Sequence, residues 1–385
     1  MLEKKHHENR EKFRAFALEK IAPAAATLDL EQRFPQEHIQ PLVDIGLLSA
    51  LVPEKYGGQP IDTISYAIGV EEISRVCGST GIMVAAHNSL GTFPIDKFGT
   101  EEQRQKYLPR GAKGELIAFG LSEPDAGSDA GGTRTMAKKV DDGWIVNGSK
   151  CWITNAITAF ATIGTARTSD DPQDKAITTF ILEKDWDGYA VGKKENKLGL
   201  RGSDTAFLHF DDLKVPDENI LGKIGDGFKQ MLITLDGGRI SIGAMALGLA
   251  QGALDCALKY SADRIQFGKP IAYNQAIQQK LSDMATEIEA ARLLIYDCAE
   301  RKDAGEKFTR YSAMCKLYAS EVGRRSAEWA MDILGGVGYY TGVHAAERIW
   351  RDVKLCEIGE GTSEIQRLVI ARELLGELKA KGSII

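Results

Sequence analysis

The segment Glu360-Gly361-Thr362-Ser363-Glu364-Ile365-Gln366-Arg367 places a carboxylate in a loop directly ahead of the last apolar run. A carboxylate in an apolar cleft has its pKa raised toward neutrality, which suits Glu360 to act as a base. The same residues also read as ordinary helix capping. Two more glycine-punctuated segments stand out. FGLSEPDAGSD, residues 119–129, combines the Ser122 and Ser128 hydroxyls with backbone amides near Gly127, a combination suited to ligand heteroatoms and phosphate. A plain loop with an Asx-type turn would use the same residues. CWITNA, residues 151–156, offers the flat face of Trp152 and the Thr154 hydroxyl two residues on, on the same side of a strand. A buried core tryptophan is the plainer reading.

Other familiar chemistries are excluded. The chain has no G-x-x-x-x-G-K-[ST], G-x-S-x-G or G-x-G-x-x-G, so a P-loop, a nucleophile elbow and a Rossmann fingerprint are all missing. A di-iron bundle needs two Glu-x-x-His pairs, and only Glu3–His6 matches. His6 and His7 read as a solvated charge patch, and His38, His87, His209 and His344 as structural. The six cysteines are scattered without a C-x-x-C pair, so neither a disulfide framework nor a zinc site is expected, and no metal.

Three stretches of differing texture must position these motifs. Residues 1–117 read as helices joined by short loops, with one helix over Thr63–Val76 and another opening at Thr100, where Gln103 completes a capping box. Residues 118–230 are short β-rich runs. Trp144–Val146 and Lys150–Ile153 read as a hairpin about a type I′ turn at Asn147-Gly148. Ile177–Leu182 and Phe207–Phe210 read as further strands. With no helix between the runs, a small antiparallel barrel or sandwich is expected. Residues 231–385 return to helices: Ile277, Leu281, Met284, Ile288, Ala291 and Ile295 form one apolar stripe, and a further helix runs from near Thr309 to Gly335-Gly336. The fold class is thus α+β and multidomain: an α-helical N-terminal domain, a middle β-barrel and a C-terminal four-helix bundle.

Composition narrows the class further. Lys and Arg number 48 against 54 Asp and Glu, a net charge of −6, which argues against a phosphate-coating nucleic-acid protein. The charged N-terminus has no apolar signal-peptide core, and glycines and prolines interrupt the longest uncharged stretch, Val76–Ile95. No membrane association and a cytoplasmic location are expected. Glycine is in excess, 40 of 385 residues against a typical ~7%. Gly127, Gly335, Gly336, Gly359 and Gly361 all fall in the candidate blocks.

Taken together, FGLSEPDAGSD, CWITNA, RIQFGKPI, ILGGVGY and EGTSEIQRLVIAREL closely resemble the signature blocks of the acyl-CoA dehydrogenase family, in register along nearly the whole chain. The resemblance implies FAD bound between the β domain and the C-terminal bundle, completed by a dimer neighbour. It places Phe119, Leu121 and Ser122 along the isoalloxazine, Trp152 and Thr154 near its N5, and Ser128 at the cofactor or the acyl-CoA. Arg264, Gln266, Phe267 and Gln275 would hold the pyrophosphate and adenosine of a neighbour's FAD, where Gly335 and Gly336 allow close backbone approach. Thr362 and Glu364 would complete the cofactor contacts. Asp236, Arg239 and Gly361 would meet the substrate.

The implied reaction is α,β-dehydrogenation of an acyl-CoA thioester. Glu360 removes the α-proton while the β-hydrogen leaves as hydride to the flavin, and its own N–H with a flavin ribityl hydroxyl stabilises the enolate. Electrons would pass to an electron-transfer flavoprotein in fatty acid β-oxidation, and the family norm is a homotetramer, a dimer of dimers. Two positions depart from the family pattern. Gly359 stands where an aromatic is frequent, which implies extra room for the acyl group, and Asp332 stands where glutamine is usual beside the adenosine. Isovaleryl-type enzymes place their base at the position of Gly238, and glutaryl-type enzymes an arginine near Gly81, so a short- or medium-chain acyl-CoA is expected. An acyl-CoA oxidase, an enoyl-CoA reductase, a flavin-bearing binding protein and a helical scaffold remain as alternatives.

Overall fold

The structure is a computed structural model that describes residues 2–169 and 176–381. The chain begins with α1 (Lys4–Phe16), α2 (Ala25–Leu30), α3 (Gln36–Asp44), α4 (Thr63–Val76), α5 (Gly78–Ala85), α6 (Phe93–Phe98) and α7 (Glu101–Ala112). Asp62 caps α4, as its carboxylate accepts from the Ser65 N–H at 2.8 Å. The helix is buried over almost its whole length, Glu71 and Glu72 included. The expected capping box opens α7: Thr100 Oγ1 accepts from the Gln103 N–H at 3.3 Å, and Gln103 Oε1 from the Thr100 N–H at 3.0 Å. Gln103 Nε2 then donates to the carbonyls of Glu218 and Ile220, which ties this helix to the sheet.

His6 departs from the expected solvated patch. It is 3% exposed, accepts from the Glu3 N–H at 2.9 Å and lies 3.1 Å from Asp62. Glu3 and His6 cap α1 as it packs against α4, and this accounts for their three-residue spacing. His87 is fully buried, and burial pushes its imidazole down to about 4. It accepts from the Ile117 N–H and donates to the Gly111 carbonyl, a structural role.

The middle segment contains β1 (Ile117–Gly120), β2 (Met136–Val140), β3 (Gly143–Thr154), β4 (Ala161–Arg167), β5 (Ile177–Glu183), β6 (Tyr189–Lys194), β7 (Thr205–Val215) and β8 (Ile220–Leu221). Two expectations need correction. The eight-stranded sheet runs β6-β7-β3-β2-β4-β5-β8 with β1 on β4, and this path does not close into a barrel among the described residues. It is also mixed, because β1 pairs β4 in parallel with Phe119 opposite Ile163. The long connection through β2 and β3 supplies the crossover that a parallel pair needs. Nor is there a hairpin at Asn147-Gly148. β3 runs straight through these residues, and its register against β7 slips between Val146 and Gly148. Gly148 has φ +148°, and a Cβ there would lie 2.6 Å from Thr135. Asn-Gly here makes a β-bulge, and the chain reverses earlier, between Val140 and Gly143.

The C-terminal segment comprises α8 (Gly227–Asp263), a small hairpin of β9 (Ile265–Gln266) and β10 (Lys269–Pro270), α9 (Gln275–Asp303), α10 (Thr309–Leu334), α11 (Ala345–Val353) and α12 (Ser363–Lys381). α8 is long and apolar enough to cross a membrane, but 83% of its most apolar window is buried inside the chain, as in a core helix. It packs on α4, α9 and α10, and α10 also packs on α12. In α9, Met284, Ile288, Ala291 and Ile295 of the expected stripe are buried. α10 ends at Gly335, in the left-handed region at φ +60°. One apolar core runs through all three segments, from Phe13 through Phe180 to Val353.

Candidate active site

Glu360 lies in the loop before α12 with φ +55°, followed by Gly361 at +93°. A left-handed backbone costs a non-glycine residue roughly 1–2 kcal/mol, so the surroundings must enforce it. They do so from two sides. Lys316 Nζ, on α10, donates to the Gly361 carbonyl at 2.7 Å, and Gln366 Nε2, on α12, donates to the carbonyls of Gly361 and Glu360 at 2.8 and 3.2 Å. Both side chains are fully buried.

The Glu360 carboxylate reaches back against α8. A Cβ at Gly238 would lie 2.0 Å from its Oε2, so glycine makes the space that the carboxylate fills. That oxygen is buried without a hydrogen-bond partner. Burial raises the carboxyl to about 7, with Lys316 and Arg239 pulling it the other way. A carboxylate titrating near neutrality accepts a proton more readily than an ordinary surface glutamate. The Glu360 N–H donates to no group among the described residues and remains available as a donor.

Arg239 follows Gly238 on α8 and is 4% exposed. It donates to Asp236 at 2.6 Å, and Asp236 also accepts from Thr309 at 2.7 Å. Burial lowers the guanidinium's pKa and raises that of Asp236. Glu360, Gly361, Asp236 and Arg239 are therefore gathered around one junction of α8, α10 and the loop before α12. Beside α8, Tyr66, Ser89, Phe93, Gly237 and Ile240 line a gap too slender to admit a water molecule.

The first two motifs also meet. Cys151 N–H donates to the Ser122 carbonyl at 2.9 Å. Beneath them lies a buried ion pair, Lys150 to Glu123 at 2.6 Å, and Lys150 also reaches the Leu121 carbonyl and Thr165 Oγ1. Glu123 further accepts from the N–H groups of Arg134 and Thr135. Burial alone would raise Glu123, yet Lys150 holds it below the usual carboxylate range. Phe119, Leu121 and Ser122 are half-buried, whereas Gly127 and Ser128 project into solvent. Trp152 is not a core residue: it is 62% exposed. A register slip between Lys150 and Ile153, with φ +57° at Trp152, turns the indole outward, while Thr154 stays half-buried.

Thr362 accepts from the Ile365 N–H and so caps α12, with Glu364 exposed in its first turn. Arg264, Gln266 and Phe267 form the exposed hairpin after α8, and Phe267 is 94% exposed. Gln275 opens α9, and Asp332 pairs with Lys280 of the same helix. Gly335 and Gly336 face open space. No hydrogen bond or ion pair joins these residues to Glu360 within the chain, among the described residues. Lys316 and Gln366 were not singled out from sequence. The available signal for Lys316 was a lysine on the small-residue face that Ser312, Cys315 and Ala319 bury.

Family models of the acyl-CoA dehydrogenase N-terminal, middle and C-terminal domains match residues 3–115, 118–213 and 225–375. The mitochondrial short-chain specific acyl-CoA dehydrogenase of Mus musculus is 47% identical over 96% of this chain and 90% of its own length. Butyryl-CoA dehydrogenase from Megasphaera elsdenii superposes with a TM-score of 0.94 at 42% identity, over 97% of this chain and 99% of that one. A chain in the structure of the electron transferring flavoprotein of Acidaminococcus fermentans superposes with a TM-score of 0.95 at 43% identity, over 97% and 99%. An acyl-CoA dehydrogenase from Bacillus anthracis, solved with FAD, gives 0.92 at 32% identity, over 99% of this chain and 68% of that one.

FAD is the cofactor, and the residues present fit it. The outward Trp152, the open backbone at Gly335-Gly336 and the buried, unpartnered Ser363 hydroxyl offer an aromatic face, close backbone approach and a free polar group. All three family models match in order along nearly the whole sequence, and the chain belongs to the acyl-CoA dehydrogenase family.

Proposed function

We propose that this protein dehydrogenates a short acyl-CoA thioester to the trans-2-enoyl-CoA, with Glu360 as the base. The observation that carries the reading is the unpartnered Glu360 Oε2, buried against Gly238 and titrating near 7. An α-proton beside a thioester is too weak an acid for a free carboxylate, so the thioester oxygen must be held by donors as charge develops on it. The free Glu360 N–H is one such donor. FAD, when bound, supplies the hydride acceptor. Lys316 and Arg239, the latter braced by Asp236, both favour the ionised form of the base. The substrates named for its relatives favour a short acyl chain, and Gly359, where the nearest atoms to an added Cβ belong to Leu355 at 3.6–3.8 Å, leaves room for branching.

The remaining assignments belong to the same reading. Phe119, Leu121, Ser122, Ser128, Trp152, Thr154, Thr362 and Glu364 contact the cofactor of their own subunit. Arg264, Gln266, Phe267, Gln275, Asp332, Gly335 and Gly336 contact that of a neighbour in a homotetramer. Segments 1–117, 118–230 and 231–385 act as domains, the middle one built on the mixed sheet and the last a four-helix bundle. The acceptor is an electron-transfer flavoprotein, and the setting is cytoplasmic fatty acid β-oxidation.

Anaerobic titration of the yellow holoenzyme with butyryl-CoA tests the assignment. The wild type should bleach, whereas Glu360→Gln should keep the flavin spectrum and bleach several orders of magnitude more slowly. Bleaching at the wild-type rate in Glu360→Gln would assign the base elsewhere. Rapid reoxidation by air would favour an oxidase.

A further inference from the structure

Lys316 occupies the middle of α10, on a face where Ser312, Cys315, Ala319 and Ser320 are all fully buried. Lysine is seldom found in such a place without a carboxylate partner. Among the described residues no carboxylate pairs with it, and its one hydrogen bond goes to a neutral group, the Gly361 carbonyl. The charged groups that face it are Glu360, Glu357 and Arg239, with the Cys356 thiol beside them and the exposed Glu364 of α12 further out.

We infer that Lys316 is a positioning residue for the reaction, which clamps the left-handed turn at Glu360-Gly361 and supplies the buried counter-charge that keeps Glu360 ionised. The inference rests on the proposed role of Glu360 and adds to it a second-layer cation from another helix. Three observations support it. The turn is held by two buried donors, Lys316 and Gln366, but only Lys316 carries charge. Arg239, the other cation facing Glu360, already pairs with Asp236 at 2.6 Å, so its charge is shared. From α4 the facing group is the neutral Tyr66 phenol, and Leu90, beside the carboxylate, is apolar. Burial also pushes Lys316 down to about 8, which leaves it a cation at neutral pH.

Geometry and charge are separable by substitution. Gln366→Met removes two bonds to the turn and no charge, and Lys316→Met removes one bond and the cation. In the FAD-loaded protein, Lys316→Met should move the acid limb of the pH–kcat/KM profile upward by about one unit and so lower kcat/KM at pH 7 about fivefold. Gln366→Met should lower kcat while leaving the acid limb in place. Lys316→Arg, which keeps the charge, should restore the position of the limb. The Glu360 carboxyl, followed by infrared difference against Glu360→Gln without substrate, should titrate higher in Lys316→Met by the same amount. This second readout judges the inference even if no acyl-CoA bleaches the wild type, an outcome that would defeat only the proposed reaction. If Lys316→Met does not fold, Lys316→Gln, with a donor but no charge, gives the same readouts. An unshifted acid limb and an unshifted infrared titration in the charge-removing variant would overturn the inference.

Discussion

The chemistry converges on one carboxylate whose position is set by what its neighbours lack. Gly238 has no side chain, and the space this leaves is where Glu360 Oε2 sits, 2.0 Å from the Cβ that alanine would add. The clashing atom is the far end of a flexible side chain, so the protein can absorb the methyl by moving the carboxylate and leave the backbone unchanged. Gly238→Ala should therefore fold with a Tm within a few degrees of the wild type and bind FAD. Its kcat should fall about a hundredfold, because a displacement of order 1 Å is enough to spoil proton abstraction. A stopped-flow measurement of flavin bleaching checks this, and an unchanged rate would mean that the carboxylate does not occupy that space during turnover. At this scale Glu360 was legible in the sequence as a candidate base, since a carboxylate ahead of a glycine and a helix is a local pattern. It hid Lys316 and Gln366, because their roles depend on the packing of α10 and α12 against the loop, which no spacing along the chain encodes. Trp152 was visible as a flat face, but its exposure follows from a bulge against β7.

Elements were legible where one periodicity or one cap decides them. The stripe in α9, the capping box at Thr100 and the glycine stop of α10 all follow from residues within a few positions of one another. Asn147-Gly148 misled for the converse reason. The pair is a good turn in isolation, but β7 lies alongside and pulls it into a bulge, with Asn147 and Asp212 bonded reciprocally. Asp352, at the end of α11, shows how such long-range contacts join elements: its Oδ1 accepts from the Leu200 N–H at 2.5 Å and pins the loop before β7 to the C-terminal segment. Burial raises this carboxyl to about 7, with the Leu200 bond, Arg348 and Arg351 opposing and Asp29 adding to the rise. Since an unfolded aspartate titrates near ~3.9, the folded state binds the extra proton between about pH 4 and 7. Stability then falls as pH rises through that window. Asparagine keeps the acceptor and never ionises. Asp352→Asn should consequently lose less stability than the wild type between pH 5 and 8 in urea unfolding, and parallel curves for the two proteins would show that Asp352 stays ionised throughout.

For the whole molecule the notable surface is an exposed apolar face at the far end of α8. The Tyr260 and His344 rings meet there at 5.6 Å, which brings the β9–β10 hairpin and the loop after α10 to the same end of the molecule. These two loops expose Ile265, Phe267, Tyr273, Tyr339, Tyr340 and Val343, each at more than half of its full surface. Isolated apolar residues at a surface need no explanation, but six of them on adjoining loops mark an interaction surface. The open backbone of Gly335-Gly336 belongs to the same region. If a second copy and its FAD cover this face, assembly and cofactor retention are coupled, since binding to the assembled form alone shifts both equilibria together. Phe267, 94% exposed, is the most direct probe because its removal creates no cavity within the chain. Phe267→Asp should leave the monomer's thermal unfolding nearly unchanged without cofactor. In sedimentation velocity it should run as a smaller species than the wild type, and it should release FAD on dilution at protein concentrations where the wild type retains it. A variant with wild-type mass and wild-type FAD retention would show that this face takes no part in assembly or in holding FAD.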